Sequence, residues 1–193
     1  MGKFSNNKTP REIGFDLATR LVNEIKTIPS ALDTLTGDKS LPMHLDDVDI
    51  DKVTLELSIL VFVGQRLALQ HIQMKNGDRK QTERRKHICD ALDHHAVELF
   101  GTDPEINALL DKRGEQYFCI LQSHNIVGSG MNWDRFHKEL QFTFEQFCRG
   151  AYDLSGPTTI GGFCSTMPLW FLAVEYWKSG FGKTAEYIVE EGI

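Results

Sequence analysis

Long apolar runs, paired cysteines and a positive balance of charge are all missing from this chain. No stretch approaches the roughly 18 consecutive apolar residues of a membrane span, so no membrane crossing is expected. The opening residues, Met1 to Lys8, carry no apolar block of the kind a secretory leader needs. Asn6 stands where N-myristoylation requires serine or threonine. The four cysteines, Cys89, Cys119, Cys148 and Cys164, lie far apart, with no C-x-x-C pair and no zinc spacing. Scattered thiols among core-like residues point to a reducing compartment, and a cytoplasmic chain is expected. The formal net charge of -6 gives no global field that would draw in nucleic acid or anionic lipid. Also absent are the G-x-S-x-G elbow of serine hydrolases, the H-E-x-x-H of zinc proteases and the Glu-x-x-His of di-iron bundles.

What remains is globular in composition, with 41% hydrophobic and 25% charged residues over 193 positions. That length suits one domain able to bury a core without a disulfide or a structural metal. Residues 1–8 are polar and expected to fray, leaving 9–193 as a single helical domain. Thr9-Pro10-Arg11-Glu12 reads as a capping box with proline at the first helical position. The helix that follows places Ile13, Leu17, Leu21 and Ile25 at helical spacing and is expected to end at Pro29, with an irregular connection over 30–48. Asp49 or Asp51 caps a second segment, up to about Asn76-Gly77. Here Val53, Leu55, Leu57, Ile59, Val61 and Val63 alternate like a strand. The length of the run, its continuation through Leu67, Leu69 and Ile72, and the lack of a partner strand favour one buried helix.

Asp78 opens a third helix that ends before Gly101. Asp103-Pro104 opens a fourth, to about His124 or Asn125, and Val127 to Gly130 form a loop. Asn132 caps a fifth, whose stripe is Trp133, Phe136, Leu140, Phe144 and Phe147 and which runs to Ala151 or Tyr152. A longer loop spans Ser155 to Gly162. A sixth helix begins near Met167, and Gly180 and Gly182 are expected to break it ahead of a short terminal helix from Lys183 to Glu191. The fold class is therefore all-α, a single compact bundle of six to seven helices.

Several motifs have the outline of a site. Gly182-Lys183-Thr184 ends like a phosphate-binding loop, but Trp177 replaces the leading glycine and the segment follows a helix instead of a strand. Asp47, Asp49 and Asp51 imitate half of a calcium loop, but Lys52 stands at its turn glycine and Ser58 at its closing glutamate. Arg79, Lys80, Arg84, Arg85, Lys86 and His87 make the start of the third helix basic. Without interleaved aromatics they read as a solvated face, and nucleic-acid binding is not expected.

Farther along, His87, Asp90, His94 and Glu98 share one polar face and are the candidate metal ligands. With no paired motif to complete the set, no tightly bound metal and no cofactor are expected. His95, on the apolar stripe with Ile88, Leu92 and Leu99, reads as a core histidine. On the fourth helix, Arg113, Tyr117 and His124 lie near the apolar face as candidate ligand-binding residues, the plainer alternative for Arg113 being a carboxylate partner. Gly114 beside them suggests the close approach of another helix.

The sixth helix is apolar nearly all round, and its Leu169, Leu172 and Tyr176 side is expected to meet a second copy in a two-fold dimer. Two functions stay open. The leading one is a non-enzymatic protein acting through protein–protein contacts. The alternative is a small-molecule or metal-binding bundle, an enzyme among the options, with its site between the third and fourth helices.

Overall fold

The structure is a computed structural model that describes residues 8–37, 49–76, 79–126, 130–148 and 167–191. Helix α1 spans Pro10–Gly37, α2 Ile50–Asn76, α3 Arg79–Phe100, α4 Pro104–Ser123, α5 Trp133–Cys148, α6 Met167–Trp177 and α7 Lys183–Glu190. A π-helical turn, Lys178–Gly182, joins the last two without interruption. The fold is all-α, with six or seven helices among the described residues according to whether that final stretch is counted once or twice. Among the described residues the only extended pairing is a two-residue antiparallel ladder, Asn125 opposite Met131 and Ile126 opposite Gly130.

Most helix starts follow from their caps. Glu12 N–H donates to Thr9 Oγ1 at 3.3 Å while Thr9 N–H donates to Glu12 Oε2 at 2.7 Å, which closes the expected capping box. Asp49 Oδ1 accepts from the backbone of Asp51 and Lys52, and Asp103 Oδ1 from that of Glu105. Asn132 Oδ1 takes the Arg135 N–H. After α3, Gly101 adopts φ +78°, and its N–H returns to Val97 O at 2.9 Å. The aspartate cluster before Asp49, the loops 127–129 and 155–162, and the continuation of α5 past Cys148 lie outside the described residues.

Two local expectations need correction. Pro29 does not end α1, which continues to Gly37. Pro29 faces solvent, so it forfeits one hydrogen bond on the outer side. Ile28 and Leu32 beside it are buried. Burying such side chains contributes about 1.5–3 kcal/mol each, enough to offset a proline cost of about 3 kcal/mol. Nor does Gly180 break the last helical stretch. It sits where the π-turn meets α2: a Cβ on Gly180 would lie 2.4 Å from Val61 O, and one on Gly64 would lie 2.9 Å from Phe181 N. The two glycines let the backbones touch.

Helix α2 is the centre of the bundle. Val53, Leu57, Ile59 to Val63 and Leu67 to Leu69 are all buried, in one apolar cluster to which every other helix contributes. By length and composition Ile50–Gln70 would suffice to cross a membrane, but 78% of its most apolar window is buried within the fold. Being covered on nearly every side, the helix needs no polar face. Its strand-like alternation of apolar residues therefore carries no structural meaning.

Candidate functional site: a groove between α3 and α4

The residues singled out from sequence do not converge. His87, Asp90, His94 and Glu98 stand on the outer face of α3, exposed to solvent. His87 Nδ1 lies 3.9 Å from Asp90 Oδ2. His94 packs edge-on against His95, which in turn lies edge-on to Phe15 of α1. Among the described residues no group of three or more His, Cys, Asp or Glu side chains is placed to hold a metal ion. The basic start of α3 is only partly a solvated face, since Arg85 is buried and Arg84 donates to Lys8 O at 2.9 Å.

Arg113 and Tyr117 belong to the core. The Arg113 guanidinium grips Glu56 of α2 through Nε at 2.9 Å and Nη2 at 2.6 Å. It donates a third bond to Gln116 and lies 3.4 Å from the centroid of the Phe147 ring. Both members of the pair are shut away, at 1% and 3% side-chain exposure. Tyr117 packs against Phe147 and Trp177, and burial together with the nearby Glu56 charge pushes its phenol well above the usual range. His124 caps α4 on the surface and pairs with Glu139. Arg113 and Tyr117 are thus sealed from solvent, and His124 is not. Two of the cysteines are equally quiet: burial pushes the Cys89 thiol up to about 12 and raises that of Cys148 as well, which removes both as thiolate nucleophiles at neutral pH.

The dimer face expected on α6 is largely covered by the chain itself. Leu169 is 1% and Tyr176 6% exposed, and the Tyr176 hydroxyl shares a hydrogen bond with Thr27 of α1 at 2.9 Å. Leu172, the third residue of that face, is only partly buried. Phe171 on the same helix stands in solvent, at 61%.

An opening does exist, on the other side of α2. Helices α3 and α4 both pack on α2 and leave a groove between them, made of three adjoining cavities of about 290, 450 and 310 Å³. Arg66 of α2 lines all three. Phe62, Val63, Leu67 and Gln70 form the rest of the floor, Ala96 and Val97 stand on the α3 wall, and Leu110 and Phe118 on the α4 wall. Arg66 Nε lies 3.2 Å from Asp93 Oδ1, and Nη1 3.9 Å from Asp111. The Arg66–Asp93 contact is an ion pair without good hydrogen-bond alignment, and the two side chains keep 26% and 39% exposure. Burial raises the Asp93 carboxyl. Arg66 works against that shift, and the charges of Asp90 and Asp111 add to it.

Gly114 also lines the groove, and among the described residues nothing lies within 4 Å of where its Cβ would stand. The groove lies between the third and fourth helices, but of the seven residues expected there only Asp90 touches it. Its central residue comes from α2. The signal in the sequence is Arg66 itself, a charge within the apolar stretch from Leu57 to Leu69 that must find a partner or reach water.

No protein-family model matches the chain, and neither does any curated protein or solved structure.

Proposed function

We propose that this is a non-catalytic helical protein that acts by taking a helix of a partner protein into the groove between α3 and α4. The observation that carries this is Gly114. A glycine in a helix interior costs about 1 kcal/mol relative to alanine. Gly64 and Gly180 offset that cost with a close backbone contact inside the chain, whereas Gly114 faces open space. A close neighbour from outside accounts for it, and a helix laid along the groove brings one. Phe62, Val63 and Leu67 beside Arg66 on the floor, with Val97 41% exposed on one wall, suit the apolar stripe of an amphipathic helix.

The charges favour a basic one. Five acidic side chains line the three cavities (Glu83, Asp90, Asp93, Asp111 and Glu115) against two basic ones, Arg66 and Lys86.

The test is a displayed library of amphipathic helices, basic and acidic, selected against the whole chain. Enriched sequences should carry net positive charge, and they should lose binding to Val97→Asp and Gly114→Leu variants whose circular dichroism is unchanged. Enrichment of acidic helices, or of none, would reject the proposal.

A further inference from the structure

The groove leaves a second opening unexplained. A cavity of about 630 Å³ lies between α1, α6, the π-turn and α7, within the range of small-molecule sites. Single π-turns inside α-helices recur at functional sites because the extra residue re-aims the side chains around it. In this one Gly180 meets α2, while Ser179 and Gly182 line the cavity. Gly182 has ordinary right-handed helical φ and ψ, -64° and -56°, and among the described residues nothing within 4 Å of a Cβ there. Neither backbone conformation nor packing calls for glycine at that position.

The lining divides into a charged end and an apolar end. Glu24 of α1 and Lys183 of α7 pair at 2.7 Å, with 27% and 61% side-chain exposure, so solvent reaches both. Burial pushes the Glu24 carboxyl up, but Lys183 and the neighbouring Ser179 hydroxyl outweigh it and hold the group below its usual range. That hydroxyl is buried and lacks a full hydrogen bond to any protein acceptor. The Thr27 and Tyr176 hydroxyls, bonded to each other, add a further donor and acceptor. Ala31 and Leu172 form the apolar end, and a second ion pair, Lys178 with Glu175, stands at the rim near Glu186.

We infer that this cavity binds a small zwitterion with an apolar body, an apolar amino acid or a short apolar peptide. A ligand with one charge would part Glu24 from Lys183 and leave one of them without a counter-charge. A ligand with both sets its ammonium against Glu24 and its carboxylate against Lys183 and satisfies both. The apolar body then lies on Ala31 and Leu172.

The test is calorimetric titration of the whole chain with leucine and with leucyl-leucine, which separates free amino acid from peptide, beside acetate and choline as single-charge controls. One or both zwitterions should saturate and the controls should not. Glu24→Gln and Lys183→Met should each weaken binding about tenfold or more, as loss of a charge-assisted hydrogen bond does. Gly182→Val fills the cavity without touching a charge, and should abolish binding with helix content unchanged. The inference is overturned if neither zwitterion saturates by about 10 mM, the weak end of measurable affinity. Equal binding of acetate or choline, or binding that survives Gly182→Val, overturns it as well.

Discussion

Two arginine–carboxylate pairs tie α2 to its neighbours, and they have opposite surroundings. Arg113 and Glu56 are sealed in the core with close, aligned hydrogen bonds, and Phe147 lies against the guanidinium. Arg66 and Asp93 face each other at 3.2 Å in a groove open to water, and their geometry is poor. The glycines divide the same way: Gly180 and Gly64 let the backbones of α2 and the π-turn meet, whereas Gly114 fronts the groove and meets nothing among the described residues. One side of α2 is finished by the chain itself. The other has the same kinds of residue left open to solvent, and this contrast supports the proposed binding surface better than any motif does.

The sealed pair should give the largest effect. Arg113→Met leaves Glu56 ionised and without a partner in the core, which costs about 3–5 kcal/mol. Urea unfolding should show that loss. Replacing both members, Arg113→Met with Glu56→Leu, should recover most of it, because two charges then no longer need burial. If the double variant is as unstable as the single one, the ion pair is not what holds α4 to α2.

The glycine contrast comes next. In Gly180→Ala the new methyl would lie 2.4 Å from Val61 O, a backbone atom that cannot step aside. Overpacking of this kind costs about 1–3 kcal/mol, and melting should fall by about 3–10 °C. Gly114→Ala should have the opposite sign and a smaller size, raising stability by about 0.5–1 kcal/mol, since the methyl meets no clash and the helix gains propensity. The same substitution should weaken partner binding. A variant that is more stable and binds less well is hard to explain unless the empty space is used. Equal melting shifts of one sign at Gly180 and Gly114 would remove the distinction between the two sides of α2.

The sequence disclosed the elements far better than the site, for a physical reason. Caps at Thr9, Asp49, Asp103 and Asn132 are local, and so is the αL glycine at 101. Each is set by residues within one turn. The limits of α1 and of the last helical stretch depended on remote packing, of Leu32 into the core in one case and of Gly180 against Val61 in the other, and there the local rule for proline or glycine was overridden. Arg113 reads in the sequence as a charge that needs a partner, but that Glu56 supplies it is a fact about how α2 lies against α4. Arg66 and Asp93 stand 27 positions apart in sequence and belong to no motif. Leu169, Leu172 and Tyr176 were rightly seen as apolar. Periodicity says that a face must be covered, and it leaves open whether the chain or a second copy covers it.

The smallest expected effect is on pH dependence, and it separates the open pair from the rest of the surface. Burial, opposed by Arg66, raises the Asp93 carboxyl, so the folded state holds its proton to higher pH than the unfolded chain does. Between the two values the native state binds more protons, and stability therefore falls as pH rises through that window, from the ordinary aspartate range up to the folded value. Glu12, Asp16 and Glu24 have lowered values and act in the opposite sense, their contributions being lost as pH falls. The Asp93 term is isolated by comparing the chain with an Asp93→Asn variant across acid to neutral pH. The stability advantage of the parent over the variant should shrink as pH rises, and an NMR titration of the Asp93 carboxyl should place its midpoint above that of an exposed aspartate. A lysine-rich helix seated in the groove would favour the ionised carboxylate, so binding of a basic helix should tighten as pH rises through the same window, and the variant should show no such change. If parent and variant keep a constant difference at every pH, Asp93 titrates like a surface residue, and the groove does not hold the strained charge that its geometry implies.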